Sequence, residues 1–315
     1  PRDYVQKLGG LIMANTTFTG TVRAESGIKV SAKTAATGAY SDKFTINSSG
    51  QAITVNGAHW KYTAASGYGP TDLIIGKGGS SAQTADPFAE SSTQLFPLGS
   101  KLIYNDREFR YGKNGGSAIT AGKLVQHVTE VANHTNCAAT AAVSAGETAI
   151  SIETNGTDLT ADQYAEGYLF VNDVNGEGQC LKVKSHPAHD HSSDPSVIIT
   201  CYDDLATALT TNSELTLMPN PYSGLVVAPA TATGACVGAT TIDTTASYYA
   251  WFQTKGPAAL LTDGTITLTE PVVRSNGTAG AVEVLDSDDD AEGQVIGQTM
   301  CVSATTEYSL IWMNI

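Results

Sequence analysis

Short stretches of alternating apolar and polar residues recur along most of the chain, and this pattern limits the available folds more than any other feature. Residues 148–153 alternate cleanly, and residues 27–32 and 52–56 do so nearer the N-terminus. Turn-forming residues separate such stretches about every 8 to 15 residues, and no amphipathic helical pattern exceeds about 12 residues. The sequence therefore predicts an all-β protein of short antiparallel strands, arranged as a sandwich or a barrel.

Local turn chemistry adds three further expectations. Asn105-Asp106 lies between two strand-like stretches and has the composition of a hairpin turn. Residues 176–178, Gly-Glu-Gly, separate a second pair of strands that we expect to form a hairpin. Residues 159–164 are expected to form one helical turn, with Thr160 as its cap.

Composition along the chain divides it into three parts. Residues 1–12 are an N-terminal extension, and residues 13–95 are an N-terminal β meander that ends in a long polar loop. Residues 96–315 form a larger β-sandwich or barrel domain. The boundary is placed in residues 76–94, which lack periodicity and are rich in small polar residues.

The charge balance excludes several classes of protein. Lys and Arg together number 17 against 31 Asp and Glu, which gives a formal net charge of -14. Such an acidic chain cannot neutralise a phosphate backbone, so we expect no nucleic-acid partner. No stretch approaches the roughly 18 apolar residues of a membrane-spanning helix, so we expect no membrane association.

The densest group of potential metal ligands lies in residues 185–194. This stretch contains His186, His189 and His191 together with two carboxylates, and such side chains can bind zinc or other divalent metals. The spacing matches no H-E-x-x-H motif, and the stretch is not helical. A solvated loop between two strands is the alternative, so metal binding stays open with these three histidines as candidates.

No other group of residues predicts catalysis. The chain has no G-x-S-x-G elbow, and the acidic residues 286–292 lack the layout of a calcium loop, which makes a solvated acidic loop the favoured interpretation. The five cysteines form no C-x-x-C pair and are expected to be reduced and structural. We therefore expect no enzymatic activity, no catalytic residue and no cofactor.

Four aromatic residues within residues 248–252 mark one strand. Alternation would place Tyr249 and Trp251 on the same face. That face either fills the core or anchors a subunit contact, as aromatic side chains do at the centres of interfaces. Tyr249 and Trp251 are the candidate interface residues.

Several stretches of the chain resemble uncharacterised virion proteins of tailed bacteriophages. The resemblance is carried by residues 13–30, which open Met-Ala-Asn-Thr-Thr-Phe-Thr-Gly, and by residues 98–111, 248–259 and 307–315. It implies a structural protein of the particle, such as a capsid decoration (cement) protein that stabilises the shell through subunit contacts. Residues 1–12 depart from the pattern.

The resemblance also implies partners and a location. We expect a homo-oligomer, for which a trimer is one form, bound to other virion proteins such as the major capsid protein. The protein would be located in the virion, assembled in the host cytoplasm. The alternatives are a tail or fibre component that contacts the host surface, a β-rich filament subunit, and a β-sandwich glycan hydrolase.

Overall fold

The computed structural model describes residues 85–285 and 294–315 in full, and four strands nearer the N-terminus by their backbone. Residues 1–12, the start of the polar loop (76–84) and the acidic residues 286–292 lie outside the described residues. The described strands are β1 (Ile28–Lys33), β2 (Tyr40–Ile46), β3 (Ala52–Thr54), β4 (His59–Trp60), β5 (Lys101–Tyr104), β6 (Arg107–Lys113), β7 (Leu124–Gln126), β8 (Cys137–Ala138), β9 (Ala149–Ile152), β10 (Tyr168–Asp173), β11 (Cys180–Ser185), β12 (Val197–Cys201), β13 (Glu214–Met218), β14 (Val226–Val227), β15 (Cys236–Thr240), β16 (Tyr249–Leu261), β17 (Pro271–Arg274), β18 (Val282–Val284), β19 (Val295–Thr299) and β20 (Tyr308–Asn314).

The predicted all-β class is confirmed. Antiparallel sheets form a half-barrel and a nearly closed barrel. Within the described residues the only helical element is a three-residue 3-10 turn, Ala132–His134. Both predicted hairpins are present, because β5 joins β6 through Asn105 and Asp106, and β10 pairs with β11 across the turn at residues 176–178.

Contacts divide the chain into two units, residues 1–70 and residues 71–315. In the first unit, β1 to β4 form an antiparallel meander in sequence order, with Ile28 opposite Ile46. The division precedes the boundary that the sequence predicts near residue 95. The reason is that residues 85–95 already pack within the second unit, where Ser91 forms a β-bridge with Tyr249 and Ala85 is buried.

One sheet of the second unit has six strands in the order β8-β13-β10-β11-β12-β9. A bridge between Ala139 and Ile152 links the two ends of this order, so the sheet curls around its own interior. Inward-facing side chains such as Ile150, Leu169 and Leu215 fill that interior. The alternation predicted for residues 148–153 is the buried and exposed alternation of β9.

The other sheet has ten strands, with β16 at its centre. The first half of this long strand pairs with β6 and the second half with β20. Tyr249 and Trp251 pack on one side of β16, and Ala250 and Phe252 pack on the other. Two separate parts of the core therefore meet across a single strand.

A turn of one design recurs through the second unit. The turns occur in pairs, and one residue of each turn forms an isolated β-bridge with a residue of the other. In most of these turns the residue three positions after the bridged residue has a positive φ angle. The bridged pairs are Ile119 with Thr244, Val143 with Leu209, Leu159 with His189, and Ile266 with Ser303. The positive-φ residues are Gly122, Gly146, Asp162, Ser247, Thr269 and Thr306.

The helical turn predicted over residues 159–164 is wrong, because these residues form one of the recurring turns. Leu159 exchanges backbone hydrogen bonds with His189, and Asp162 has a φ of 57°. A residue in the left-handed region cannot continue a right-handed helix. The backbone N–H of Thr160 nevertheless donates a hydrogen bond to the Gln163 side-chain oxygen. The same bond occurs in a helix cap, which explains why the local sequence resembles one.

Candidate functional site

The histidines of residues 185–194 lie against the six-stranded sheet, and two of them are buried. His186 is 4% exposed. Its Nδ1 lies 2.9 Å from the Pro187 carbonyl oxygen, which can only accept a hydrogen bond. Its Nε2 accepts a hydrogen bond from the Tyr164 N–H at 3.1 Å and therefore carries no proton. Both ring nitrogens of His186 are occupied, so it offers no lone pair to a metal.

His189 and His191 are close to each other, with ring centroids 6.5 Å apart. His189 is buried and neither of its ring nitrogens has a hydrogen-bond partner, while Asp194 lies 4.0 Å from its Nδ1. His191 Nδ1 lies 3.3 Å from the Thr154 hydroxyl. No group of three or more potential metal ligands occurs among the described residues. The alternative of a solvated loop does not hold for His186 and His189, because both are buried and His189 forms a β-bridge with Leu159.

A buried network around Tyr164 is not evident in the sequence. His134 Nε2 donates a hydrogen bond to the Thr157 carbonyl at 3.2 Å. His134 Nδ1 is therefore the acceptor of the hydrogen bond from the Tyr164 hydroxyl, at 2.6 Å. The same tyrosine donates its backbone N–H to His186. Burial raises the pKa of Tyr164 to about 12 and lowers the pKa of His134. This fully hydrogen-bonded chain orders the interior of the sheet, and nothing about it indicates proton transfer to a ligand.

Of the two candidate interface residues, only one retains a partly exposed ring. Trp251 is 3% exposed and packs against Phe96 and Tyr111, so it has the core role that the sequence left open as the alternative. Tyr249 is half-buried, stacks on Tyr111 with centroids 6.0 Å apart, and lies beneath the Lys113 ammonium. A subunit contact through Tyr249 stays a prediction.

The most unusual surface of the described residues is the outward side of β20. The strand alternates between exposed and buried positions, and the exposed positions hold Tyr308, Leu310 and Trp312. Met300, directly after β19, is a fourth exposed apolar residue. Its backbone N–H donates to the Leu310 carbonyl, which places Met300 beside Leu310. We call these four residues the β20 face.

The residues directly opposite the β20 face in the two ladders are also uncharged. Trp312 lies opposite Pro257 of β16 on one side and Gln298 of β19 on the other. Leu310 lies opposite Ala259, and Tyr308 lies opposite Leu261. Contiguous apolar surface of this kind marks sites that bind another macromolecule. Trp, Tyr and Met are the residue types enriched in the centres of protein interfaces.

The sequence of β20 does contain a signal for this face. Residues 308–313 read Tyr-Ser-Leu-Ile-Trp-Met, so large apolar residues occupy both faces of the strand. A strand that is apolar on both faces is typical of one covered on both sides. In the structure only the inner side, with Ile311 and Met313, is covered.

The cysteines divide into a buried set and an exposed set. Burial raises the pKa of Cys137 and Cys236 to about 11 and that of Cys201 to about 12. Cys180 and Cys301 are exposed, and all five thiols are free. The pKa of Cys301 is lowered by the Ser309 hydroxyl and by the Leu310 N–H, which donates to the sulfur at 3.1 Å. Cys301 thus adjoins the β20 face.

Comparisons with protein-family models, with curated proteins and with solved structures find no match for this chain. Within the described residues, no helix is long and apolar enough to cross a membrane.

Proposed function

We propose that the protein is a structural component of a tailed-bacteriophage virion, a capsid decoration protein that stabilises the shell through contacts between subunits. The observation that carries the proposal is the β20 face, on which Trp312, Leu310, Tyr308 and Met300 remain exposed in the single chain. A neighbouring subunit on a particle would cover this face. Repetition by symmetry makes one such contact sufficient to bind many copies to a shell.

Charge and fold support the same function. A net charge of -14 suits the outside of a particle better than a surface that faces the genome. The described part of the second unit consists of short strands and long polar connections, and its buried histidines are engaged in internal hydrogen bonds or enclosed in the core. These features favour a protein that binds neighbours. The proposed partners are the major capsid protein and further copies of this chain.

The test is co-sedimentation of the full chain with expanded, DNA-free capsids of the phage whose genome encodes it. The wild type is expected to sediment with the capsids at a fixed number of copies per shell. Trp312→Ser is expected to weaken this binding roughly 30-fold, since interface hot spots are worth about 2 kcal/mol or more.

Tyr202→Ser is the matched control. Tyr202 is 59% exposed and directly follows β12 of the six-stranded sheet, whereas β20 belongs to the ten-stranded sheet. This variant is expected to bind like the wild type. The proposal is wrong if the wild-type protein stays in the supernatant, or if the Trp312 and Tyr202 variants bind equally well.

A further inference from the structure

A cleft of about 370 Å³ lies beside β16, in the part of the chain that the structure describes. The start of β6, the recurring turn at Gly122 and the residues that follow β15 form its walls. Its volume is within the range of about 300 to 1,000 Å³ that is typical of small-ligand sites. The side chains that matter below are Phe88, Arg107, Thr241, Asp243, Gln253 and Tyr308.

Two side chains that line the cleft, which we call its floor, each carry a buried polar atom without a partner. Gln253 is 0% exposed, and its side-chain amide nitrogen donates to the carbonyls of Lys255 at 3.1 Å and Pro257 at 2.9 Å. These two bonds fix the orientation of the amide and leave Oε1 with no partner. The hydroxyl of Thr241 is likewise buried and unpartnered. Burying a polar atom without a hydrogen bond is unfavourable, so two such atoms in residues of one cleft favour a ligand that supplies polar groups.

The rim of the cleft carries one cation and one anion. The Arg107 guanidinium lies over the rings of Phe88 and Phe109, 5.2 and 5.6 Å from their centroids. It forms no ion pair or hydrogen bond with any other described residue. Asp243 also lines the cleft, and its Oδ1 accepts the Ala121 N–H at 2.8 Å. Its second oxygen has no partner among the described residues.

Aromatic rings complete the walls. Phe88 is 42% exposed and Tyr308 is 52% exposed, and both line the cleft. The Tyr308 ring lies against Gly122, where a side chain would leave no room for it. Apolar walls combined with a few fixed polar groups are the usual composition of a ligand pocket.

We propose that this cleft binds a carbohydrate that carries a carboxylate group. Gln253 Oε1 and the free oxygen of Asp243 require hydrogen-bond donors, while the Thr241 hydroxyl can donate or accept. Sugar hydroxyls both donate and accept, so a sugar offers the kind of partner that each of these groups lacks. The apolar C–H face of a sugar ring packs on Phe88 or Tyr308. A carboxylate on the ring pairs with the Arg107 guanidinium, whose fork matches it bidentately.

The inference goes beyond the proposed function and does not depend on it. A carbohydrate is favoured over an acidic peptide because the unpartnered groups of the floor and of Asp243 are chiefly acceptors. The backbone of an extended peptide presents donors to a given side only at alternate residues. An acidic peptide is therefore included as a competing probe.

The experiment measures binding to the full chain by isothermal titration calorimetry and saturation-transfer NMR. The probes are D-glucuronate, D-galacturonate and N-acetylneuraminate, with D-glucose, hexanoate and the peptide Gly-Asp-Gly-Asp-Gly for comparison. At least one acidic sugar is expected to bind with a Kd of about 1 mM or tighter. Glucose is expected to bind about ten-fold more weakly, since it lacks the charge-assisted pair.

Variants assign the binding to the cleft. Arg107→Gln is expected to reduce acidic-sugar affinity to the level of glucose, whereas Lys113→Gln removes one positive charge from the far end of β6 and is expected to change nothing. Gln253→Met is expected to weaken every sugar about ten-fold. Because Gln253→Met also loses two backbone contacts, Asp243→Ala on the exposed rim provides a second variant with the same expected result.

Each other outcome overturns the proposal. Hexanoate that binds as tightly as the acidic sugars would indicate a simple anion site, and binding of the peptide alone would indicate a protein ligand. Binding of none of the three acidic sugars, or equal binding by the Arg107 and Lys113 variants, would also overturn it. Trp312→Ser is expected to retain sugar binding, so failure of this proposal and failure of capsid binding are distinguishable.

Discussion

Trp312 lies directly opposite Pro257 in the β16–β20 ladder, yet its indole is 48% exposed. Strand β20 pairs on both sides, with β16 and β19, so the exposure does not result from an edge position. The inner side of the same strand contributes Ile311 and Met313 to the core. The strand is therefore positioned by its inner face and leaves a large aromatic side chain available on its outer face. We expect a second molecule to cover that face.

Gly122, in one of the recurring turns, is expected to be required for full stability. Its φ is +73°, and a β-carbon there would overlap the ring of Tyr308. Gly122→Ala is expected to lower the free energy of unfolding by about 2–4 kcal/mol, because a backbone penalty of about 1–2 kcal/mol is joined by steric strain. Urea unfolding followed by tryptophan fluorescence measures the change.

Gly146→Ala is the matched control for this prediction. Gly146 occupies the equivalent position of another recurring turn, with a φ of +89°, but a β-carbon at that position would have no other atom within 4 Å. Its loss of stability is expected to be limited to the backbone penalty of about 1–2 kcal/mol. Equal losses for the two variants would show that Tyr308 does not pack on Gly122.

The Tyr164 hydroxyl is predicted to stabilise the six-stranded sheet. Tyr164→Phe removes the donor to His134 Nδ1 and leaves that buried nitrogen unpartnered. The free energy of unfolding is expected to fall by about 1–3 kcal/mol. Tyr202→Phe, on an exposed ring, is expected to change it by no more than about 0.5 kcal/mol. A Tyr164→Phe variant as stable as the wild type would contradict the network.

Acid is predicted to destabilise the protein through His134. Burial lowers the pKa of this histidine, and the neighbouring His186 and His189 lower it further. The unfolded chain takes up a proton at His134 as the pH falls below about 6.5, whereas the folded chain does not until a lower pH. Stability is therefore complete above about pH 6.5 and decreases as the pH falls towards the folded-state pKa.

Urea unfolding measured between pH 7.5 and 5 checks this dependence. His134→Gln is expected to show a smaller decrease over the same interval, because the variant cannot take up that proton. Carboxylates such as Asp263, whose pKa is lowered chiefly by the Ser275 hydroxyl, act at lower pH. An identical decrease in wild type and variant would refute the assignment to His134.

Cysteine labelling is expected to distinguish the exposed thiol of Cys301 from the three buried thiols. Iodoacetamide at pH 7.5 is expected to modify Cys301 in the native chain, because the thiol is exposed and its pKa is lowered. Cys137, Cys201 and Cys236 are expected to react only after unfolding, since they are buried and their pKa values are raised. Peptide mass spectrometry identifies the modified positions. Labelling of the three buried thiols at the rate of Cys301 would contradict the core described above.

The sequence predicted those parts of the fold that local patterns determine. The turn at Asn105 and Asp106 is predictable because a two-residue hairpin needs a first residue that tolerates a positive φ, and Asn105 has a φ of 54°. The turn at Leu159 is not predictable in this way, because its bridge partner His189 is distant in the sequence. The bridge prevents the helix that the local capping residues favour. Tertiary contact overrides propensity at that point.

The candidate surfaces depend on strand order, which one sequence does not contain. Tyr308 meets Gly122 only because β20 pairs with β16, and the cleft combines Tyr308 with Arg107 at the start of β6. The same topology buries Trp251, which the sequence left divided between core and interface. Even so, the apolar composition of both faces of β20 is visible in the sequence and indicates a second layer over the strand.

The most direct test of the proposed capsid role is cryo-electron microscopy of particles purified from the culture from which this chain derives. Under this proposal, density for the all-β second unit is expected at regular positions on the outside of the capsid lattice, with Trp312 and Leu310 covered by a neighbouring subunit. Density confined to the tail, complete absence of the chain from purified virions, or lattice-bound copies with an uncovered β20 face would contradict it.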